Sequence, residues 1–495
     1  MKNSFFFALL GLLFGSLTAC QPQVVAAVTS LTTPTGLPPS AENTFAADNI
    51  IPTSSRPIYS PGELVDYLAQ TGDTLPALAA HFNTTVAEIL KVNTFIPASA
   101  TTLPPGMPMR IPIYYTPFWG SAFQIIPDSL FINGPAQVDF DTGEFVADYP
   151  GWLNRYSEYA SDETRSGSQI VDLVAQNFSL SPRLLLALLE YQTQALTAPE
   201  IPENAHEYAL GNENWQKKGL YLQLVWAANV LNNAYYGWRT GELQLIEHLD
   251  GQVERPDPWQ NAASMALQYY YSRLLDDEVY QLAVSSEGLA QAYRTLFGDP
   301  WQGNQPHIPG SLEQPALALP FEPGLIWAFT GGPHTAWGDG APLSALDFAP
   351  GMERSGCVPT EEWATAMADG VVARSEPALV ILDLDGDGDE RTGWTLFYFH
   401  VGPEGQAQTG AGLKKGDPVG HPSCEGGRAT GTHIHIARRY NGEWMPAAGE
   451  LAFNLDGWVA HYGESPYLGT LIRNSRVVRA CTCADQGSQL ESEKR

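Results

Sequence analysis

Residues 431–438 constrain this chain most, because they place two histidines one residue apart in the apolar stretch Gly-Thr-His-Ile-His-Ile-Ala-Arg. Side chains alternate between the two faces of a β-strand, so His433 and His435 face one way while the isoleucine after each faces a core. Burying two unpaired imidazoles is costly, and neutral imidazole is the commonest metal ligand in proteins. The pattern therefore predicts a strand with a metal on one face, and a surface pair on an edge strand is the alternative.

Residues upstream can complete a zinc site. His334 begins a loop that contains Gly and Trp, Asp347 ends that loop, and His400 lies on a third apolar strand. A catalytic zinc ion has three protein ligands and an open fourth position. The predicted ligands are His334, Asp347 and His435, which supply two nitrogens and one carboxylate oxygen. His433 and His400 are then left for proton transfer and charge stabilisation.

This set of residues resembles the M23 zinc metallopeptidases of the LytM and lysostaphin type, which cut peptides of bacterial peptidoglycan. The resemblance covers roughly residues 320–467. His334 and Asp347 lie thirteen positions apart, and this long loop resembles the beta-lytic subgroup. The resemblance implies an antiparallel β-sheet domain that binds Zn2+ in a groove. It also implies that His433 is the general base and that His400 stabilises the oxyanion or orients the substrate.

Length and charge limit the number of domains and the class of partner. The chain has 495 residues, too many for one core and enough for three domains. Its 26 Lys+Arg against 54 Asp+Glu give a formal net charge of −28, which argues against nucleic acid as a partner.

The first 58 residues predict export and attachment to a membrane. A short charged start and an apolar run at 5–17 are typical of a signal peptide. The following Leu-Thr-Ala-Cys resembles a bacterial lipobox, which implies that Cys20 becomes lipidated and anchors the chain in the cell envelope. A plain signal peptide followed by an incidental cysteine is the alternative. Residues 21–58 are rich in Ala, Thr, Pro and Ser and predict a disordered tether.

Residues 59–115 have the pattern of a small βααβ unit. Thr74 and Thr85 are predicted N-caps of two helices, and Pro-Gly at 105–106 precedes a closing strand. This order, with Gly-Asp-Thr-Leu before the first helix, resembles the LysM domain. The resemblance implies binding to glycan that contains N-acetylglucosamine. His81 is expected on a helix surface.

Residues 116–312 predict a mainly helical domain of uncertain role. Glu190 ends an apolar helix and faintly resembles the catalytic glutamate of lysozyme-like transglycosylases. The more ordinary interpretation is a solvated helix end, because a lone Glu at a helix terminus needs no special role.

Two further features of the last domain leave alternatives open. The acidic run 383–389 looks like the start of a calcium loop, but Trp394 stands where an EF-hand needs a bidentate Glu, so a solvated acidic turn is the alternative. An exported protein can form disulfides, and four cysteines allow three pairings. We favour Cys357 with Cys424, because the other two cysteines lie near the tail.

Together these patterns predict a multidomain α+β chain that acts as a cell-wall hydrolase, a zinc metalloendopeptidase on stem peptides or cross-bridges of peptidoglycan. The alternatives are a non-catalytic activator of other wall hydrolases and a lysozyme-like enzyme in the helical domain. The predicted domains are a lipoprotein signal peptide at 1–20, a tether at 21–58, LysM at 59–115, the helical domain at 116–312, an antiparallel β-sheet zinc peptidase at 313–483 and a polar tail at 484–495.

Overall fold

The computed structural model describes residues 56–114, 120–351 and 356–493. The predicted signal peptide, Cys20 and most of the tether lie outside these residues. The described residues belong to one unit that extends from Pro52 to Arg495. Within the described part of the chain, no helix is both long and apolar enough to cross a bilayer.

The first region has the βααβ order that the sequence predicts. The strands β1 and β2 pair antiparallel around an apolar core. Thr74 accepts a hydrogen bond from Ala77 N and Thr85 accepts one from Glu88 N, so both predicted N-caps are present. The elements are β1 (Glu63–Leu68), α1 (Leu75–His81), α2 (Val86–Val92) and β2 (Pro108–Ile113).

The expectation that His81 lies on a helix surface is wrong. Its ring stacks on Trp238 with centroids 3.6 Å apart, and its Nε2 donates to the Trp238 carbonyl at 3.0 Å. Burial lowers the pKa of His81 to about 3, so the ring is neutral at neutral pH. The reason is that the end of α1 packs against the helical region, which covers a face that would be polar in an isolated domain.

The middle region is mainly helical, as predicted. Its longest helix, α7, contacts both α5 and α8 along a shared apolar core. The elements are α3 (Thr142–Ala147), α4 (Trp152–Arg155), β3 (Ser157–Ala160), β4 (Glu163–Ser166), α5 (Gly167–Phe178), α6 (Pro182–Thr193), α7 (Leu220–Thr240), β5 (Ile246–Glu247), β6 (Val253–Glu254), α8 (Ala262–Ser272), α9 (Asp277–Ala283) and α10 (Leu289–Phe297).

The last region is built on antiparallel strands. Among the described residues the largest sheet has nine strands, in the order β13-β10-β11-β12-β15-β8-β7-β21, with β16 paired to β15. The strands are β7 (Ile326–Thr335), β8 (Leu343–Pro350), β9 (Ala364–Thr365), β10 (Gly370–Glu376), β11 (Ala378–Asp383), β12 (Trp394–Val401), β13 (Gly412–Leu413), β14 (Pro418–Gly420), β15 (Ile434–Tyr440), β16 (Glu443–Trp444), β17 (Asn454–Leu455), β18 (Trp458–Tyr462), β19 (Gly469–Arg473), β20 (Arg476–Arg479) and β21 (Gln489–Glu491).

The two faces of this sheet pack against different partners. Ile434 and Ile436 of β15 face a core that also contains residues of β18 and β19. Phe397 and Ala437, on the opposite face, join the core of the helical region. The alternation predicted for β15 is therefore present, and the helices cover the second face of the sheet.

The ends of the described chain differ from the predicted tether and polar tail. Strand β21, within the expected tail, pairs with β7, and its Leu490 is fully buried. This segment forms a strand because its main chain can form hydrogen bonds to the open edge of β7 and because Leu490 buries its apolar side chain. At the other end, Arg56 pairs with the buried carboxylate of Asp257 and lies 3.9 Å over the ring of Trp259.

A buried polar cluster joins α7 to the sheet region. Arg239 contacts Glu443 at 3.1 Å and Asp128 at 3.2 Å, and Glu443 also accepts from His307 at 2.6 Å and from Tyr235 at 2.8 Å. Burial alone raises the pKa of Glu443, but Arg239 and His307 outweigh it and lower that pKa to about 2. The carboxylate is therefore ionised and satisfied at neutral pH.

Candidate metal centre

Three neighbouring strands carry the predicted metal ligands. His334 is the penultimate residue of β7, Asp347 lies within β8, and His435 lies near the start of β15. His435 stands directly opposite Asp347 in the β8–β15 pair. Strand β7 is irregular on either side of His334. A side-chain carbon at Gly331 would lie 2.3 Å from Asp347 Oδ2, so glycine is needed there to leave room for the carboxylate.

The ligand atoms of these three residues converge on one point. His334 Nε2 lies 3.0 Å from His435 Nδ1, and Asp347 Oδ1 lies 3.1 Å from His435 Nδ1 and 3.3 Å from His334 Nε2. Tetrahedral ligands at about 2.0–2.1 Å from zinc are separated by roughly 3.3 Å. All three side chains are buried. The donor set and its spacing therefore fit a zinc ion.

The other ring nitrogens are held by backbone carbonyls. His334 Nδ1 donates to the Gly332 carbonyl at 2.8 Å, and His435 Nε2 donates to the Ala336 carbonyl at 3.1 Å. Because a carbonyl oxygen only accepts, these nitrogens carry the protons. His334 Nε2 and His435 Nδ1 are then free to offer lone pairs, which is the arrangement that orients metal-binding imidazoles.

The charges in the site also suit a cation. Burial by itself raises the pKa of Asp347, but His334, His435 and His433 outweigh it and hold that pKa well below its usual value. Burial by itself lowers the pKa of His334, but Asp347 raises it above its ordinary value. Burial lowers the pKa of His435. An ionised carboxylate between two imidazoles is thus the preferred state.

His433 and His400 lie beside this centre. Their ring centroids are 4.5 Å apart, and His433 Nε2 lies 3.8 Å from Asp347 Oδ1. His433 Nδ1 donates to the Gly431 carbonyl and His400 Nδ1 donates to the Glu425 carbonyl, so both Nε2 atoms are free to accept. Burial, and then His433, lower the pKa of His400 to about 4.

The backbone of His400 is strained. Its φ of +63° lies in the left-handed region, which residues other than glycine rarely adopt. Such strain concentrates at functional sites, where the surrounding structure holds it in place. Here the main chain turns at the end of β12, and the imidazole stays beside His433.

The centre opens into a groove of about 1070 Å³. One part of its wall is the Gly-rich segment 426–431, and another is the loop that contains Trp337 and Asp339. Residues 482–484 also line it, next to the Cys481–Cys483 disulfide. The favoured pair, Cys357 and Cys424, forms a disulfide with Cα atoms 5.8 Å apart.

Tyr467 is a residue of the groove that the sequence did not single out. Its ring stacks on His334 with centroids 4.1 Å apart, and about half of it is exposed. Burial, and then Asp347, raise the pKa of its phenol, which keeps the hydroxyl protonated. Tyr467 belongs to no motif, and only the return of the chain after β18 brings it beside His334.

Glu190, the candidate residue of the helical region, has clear local surroundings. The carboxylate of Glu190 accepts from Leu196 N at 2.9 Å and from Thr197 N at 3.2 Å, so it caps the loop after α6. This arrangement favours the structural interpretation over a glycosidase role.

Asp383, Asp385 and Asp387 lie close together, and Asp383 accepts backbone hydrogen bonds from within its own loop.

Comparison with known proteins identifies the first two regions. A LysM domain model matches residues 67–112, and a model described as LasA, N-terminal domain, matches residues 124–311. The predicted LysM domain is therefore confirmed. The helical region, whose role the sequence left uncertain, is similar to the N-terminal domain of LasA.

Individual proteins are also similar to this chain. The chain is 27% identical to protease LasA of Pseudomonas aeruginosa over 340 residues, which are 65% of this chain and 75% of that protein. It is 30% identical over 136 residues to the beta-lytic metalloendopeptidase of Achromobacter lyticus, with 26% of this chain and 34% of that protein covered. A solved structure of the M23 metalloprotease pseudoalterin shares 22% identity and a TM-score of 0.28, with 34% of this chain and 96% of that chain covered. The chain is thus homologous to protease LasA and, over a shorter span, to a beta-lytic metalloendopeptidase, which supports the predicted metallopeptidase class at family level.

Proposed function

We propose that this chain is an exported zinc metalloendopeptidase that cleaves peptide bonds in stem peptides or cross-bridges of peptidoglycan. The observation that carries the proposal is the convergence of His334 Nε2, Asp347 Oδ1 and His435 Nδ1 at 3.0–3.3 Å beside two histidines with free Nε2 atoms. The homology to LasA and to a beta-lytic metalloendopeptidase supports the same class of reaction. The LysM domain would bind the glycan strands, and a lipid on Cys20 would hold the protein at the membrane.

The three convergent side chains would hold the zinc ion. When bound, zinc supplies Lewis-acid chemistry, which polarises the scissile carbonyl and makes water a stronger acid. The carbonyl acceptors Gly332 and Ala336 keep the two ligand imidazoles in the tautomer this requires. Gly331 leaves the space in which the Asp347 carboxylate lies.

His433 is the proposed general base. Its Nδ1 proton is held by Gly431, so Nε2 can take a proton from the attacking water and return it to the leaving amine. His400 has the same tautomer, and a neutral ring with an accepting Nε2 cannot donate to an oxyanion. This favours a role for His400 in orienting water or substrate. Tyr467, which lines the groove and keeps its phenol protonated, is our candidate donor to the oxyanion.

The direct test is mass spectrometry of fragments that the full-length protein releases from purified peptidoglycan of several wall types. New amino ends are expected, and His435→Ala protein is the control for contaminating hydrolases. New reducing or anhydro-sugar ends would instead show glycan cleavage by the helical region. A protein that releases nothing, yet stimulates another wall hydrolase added to the same assay, would be an activator. Either of these results would contradict the proposal.

A further inference from the structure

Two asparagines of the helical region contact the loop that leads away from His334. Asn229 and Asn233 are four residues apart in α7, so they lie on one face of that helix. Asp339 N donates to Asn229 Oδ1 at 2.6 Å, and Ala341 N donates to Asn233 Oδ1 at 2.5 Å. Two backbone amides of the loop between β7 and β8 thus bind side chains that come from a different region of the protein.

The orientation of the first amide group is set within the helix. Asn229 Nδ2 donates to the Val225 carbonyl at 2.9 Å, one turn earlier in α7. The remaining atom, Oδ1, is therefore the one that faces the loop. A carbonyl oxygen that is held in this way is a fixed acceptor, because rotation of the amide would break the bond to Val225.

The loop has the glycines that this approach requires. Gly338 and Gly340 have φ angles of +80° and +98°, a region that side chains disfavour. A side-chain carbon at Gly340 would lie 2.0 Å from Asn233 Oδ1, and one at Gly338 would lie 2.4 Å from Asn229 Oδ1. The sequence Gly-Asp-Gly at 338–340 therefore matches both the turn and the contact with α7.

The same loop reaches the metal centre. Ala336, three residues before Asp339, accepts the Nε2 proton of His435 at 3.1 Å. Between them, Trp337 packs edge-on against Phe399, with ring centroids 5.3 Å apart. The position of the Ala336 carbonyl decides where the His435 ring points and which of its nitrogens is free. A displaced loop would leave His435 without its acceptor.

We propose that Asn229 and Asn233 are positioning residues for the metal site, and that the region similar to the LasA N-terminal domain supports the peptidase centre in this way. By holding residues 338–341, they keep the Ala336 carbonyl against His435, so that Nδ1 faces His334 and Asp347. This inference rests on the proposed function. Partners that orient metal ligands typically change metal affinity by roughly 10–100-fold when they are removed.

Asn232 provides a matched control on the same helix. Its Nδ2 donates to the Phe178 carbonyl at 2.9 Å, a hydrogen bond within the helical region. Its side chain is buried. Asn232→Ala should therefore lower the thermal stability of the protein without changing its metal affinity.

The test measures metal binding by full-length variants, apart from any wall lysis. Zinc dissociation constants come from chelator competition, and the absorption spectrum of the Co2+-loaded protein reports ligand geometry. Asn229→Ala/Asn233→Ala should weaken zinc binding roughly 10–100-fold and alter the Co2+ spectrum. Asn233→Asp keeps an acceptor oxygen and should bind zinc as the native protein does, whereas Asn233→Ala should not. If the double variant does not fold, the comparison of zinc binding by Asn233→Asp and Asn233→Ala tests the proposal.

The outcomes separate this inference from the proposed function. If the double variant keeps native zinc affinity and a native Co2+ spectrum while only its thermal stability falls, as with Asn232→Ala, the positioning role is wrong and the metal site stands. If the native protein binds no zinc, the proposed function is overturned, and the positioning role with it.

Discussion

At the metal centre, the role of each histidine depends on which ring nitrogen faces the ligand point. His334 and His435 turn a free nitrogen towards Asp347 at 3.3 and 3.1 Å, whereas His433 Nε2 is 3.8 Å from the same oxygen. Burial and backbone carbonyls set these orientations. Because His433 lies so close to the Asp347 carboxylate, its assignment as a general base and not as a metal ligand is the first point to test.

The first prediction separates metal binding from proton transfer. His435→Ala should lose most of the zinc, because one of three ligand atoms is removed. His433→Ala should keep about one zinc per chain and lose roughly 10²–10⁴-fold in rate, since a positioned general base contributes that much. Metal analysis and release of peptide ends measure the two effects. Loss of zinc from His433→Ala, with zinc retained in His435→Ala, would mean that the pair is assigned in reverse.

Among the elements, strand β21 shows how a short segment can support the site. It adds to the edge of β7, the strand that carries His334, and buries Leu490. A polar segment near the end of a chain predicts a tail, because one apolar residue in a short polar run carries no periodic signal. The pairing arises because β7 presents an open edge that main-chain groups of β21 satisfy.

The second prediction concerns this strand. Leu490→Ala should lower the free energy of unfolding of the sheet region by about 2–5 kcal/mol, because a fully buried leucine is replaced by a cavity. Gln489→Ala, at an exposed neighbouring position, is the control and should change it little. Urea unfolding followed by tryptophan fluorescence measures both. Equal midpoints for the two variants would show that β21 adds no stability.

Over the whole molecule, buried contacts hold the LysM, helical and sheet regions together. His81 stacks on Trp238 between the LysM and helical regions, and Glu443 of β16 pairs with Arg239 of α7. Two asparagines of α7 continue this contact to the loop between β7 and β8. The helical region is thus both a neighbour of the metal centre and the element that joins the other two regions.

The third prediction is a pH dependence of this junction. Glu443→Gln should lower the free energy of unfolding by about 3–5 kcal/mol at pH 7, because it removes one of the two carboxylates that pair with the buried Arg239. The pKa of Glu443 is lowered from 4.5 to about 2, so the stabilisation is complete above pH 4.5 and is lost as pH falls towards 2. Urea unfolding between pH 7 and pH 3 should show the difference from native protein shrinking below pH 4.5. The exposed Glu404→Gln is the control, and a constant difference down to pH 3 would contradict the assignment.

The fourth prediction concerns location and rests on sequence alone. If Cys20 closes a lipobox, the mature protein begins at a lipidated Cys20 and fractionates with membranes. Cys20→Ser should release the protein into the soluble fraction or leave the precursor unprocessed, because the acyl chains have no attachment point. Cys481→Ser, which changes a different cysteine, should not move it. A Cys20→Ser protein that stays with membranes would rule out lipid anchoring at this residue.

The local patterns of the sequence predicted much of this protein. Strand alternation put His433 and His435 on the face opposite Ile434 and Ile436, and the capping residues Thr74 and Thr85 marked two helix starts, because these signals extend over only a few residues. The five polar residues of the predicted site could be proposed together because each lies in a short recognisable motif.

The tertiary structure alone decided the features that depend on distant residues. The burial of His81, the position of Tyr467 against His334 and the pairing of Leu490 within β21 all come from contacts between segments far apart in the chain. The free nitrogen of His435 depends on a carbonyl 99 positions away, and the loop that carries it is held from α7, 110 positions before Asp339. No local pattern records such contacts, because their energy depends on which surfaces the folded chain brings together.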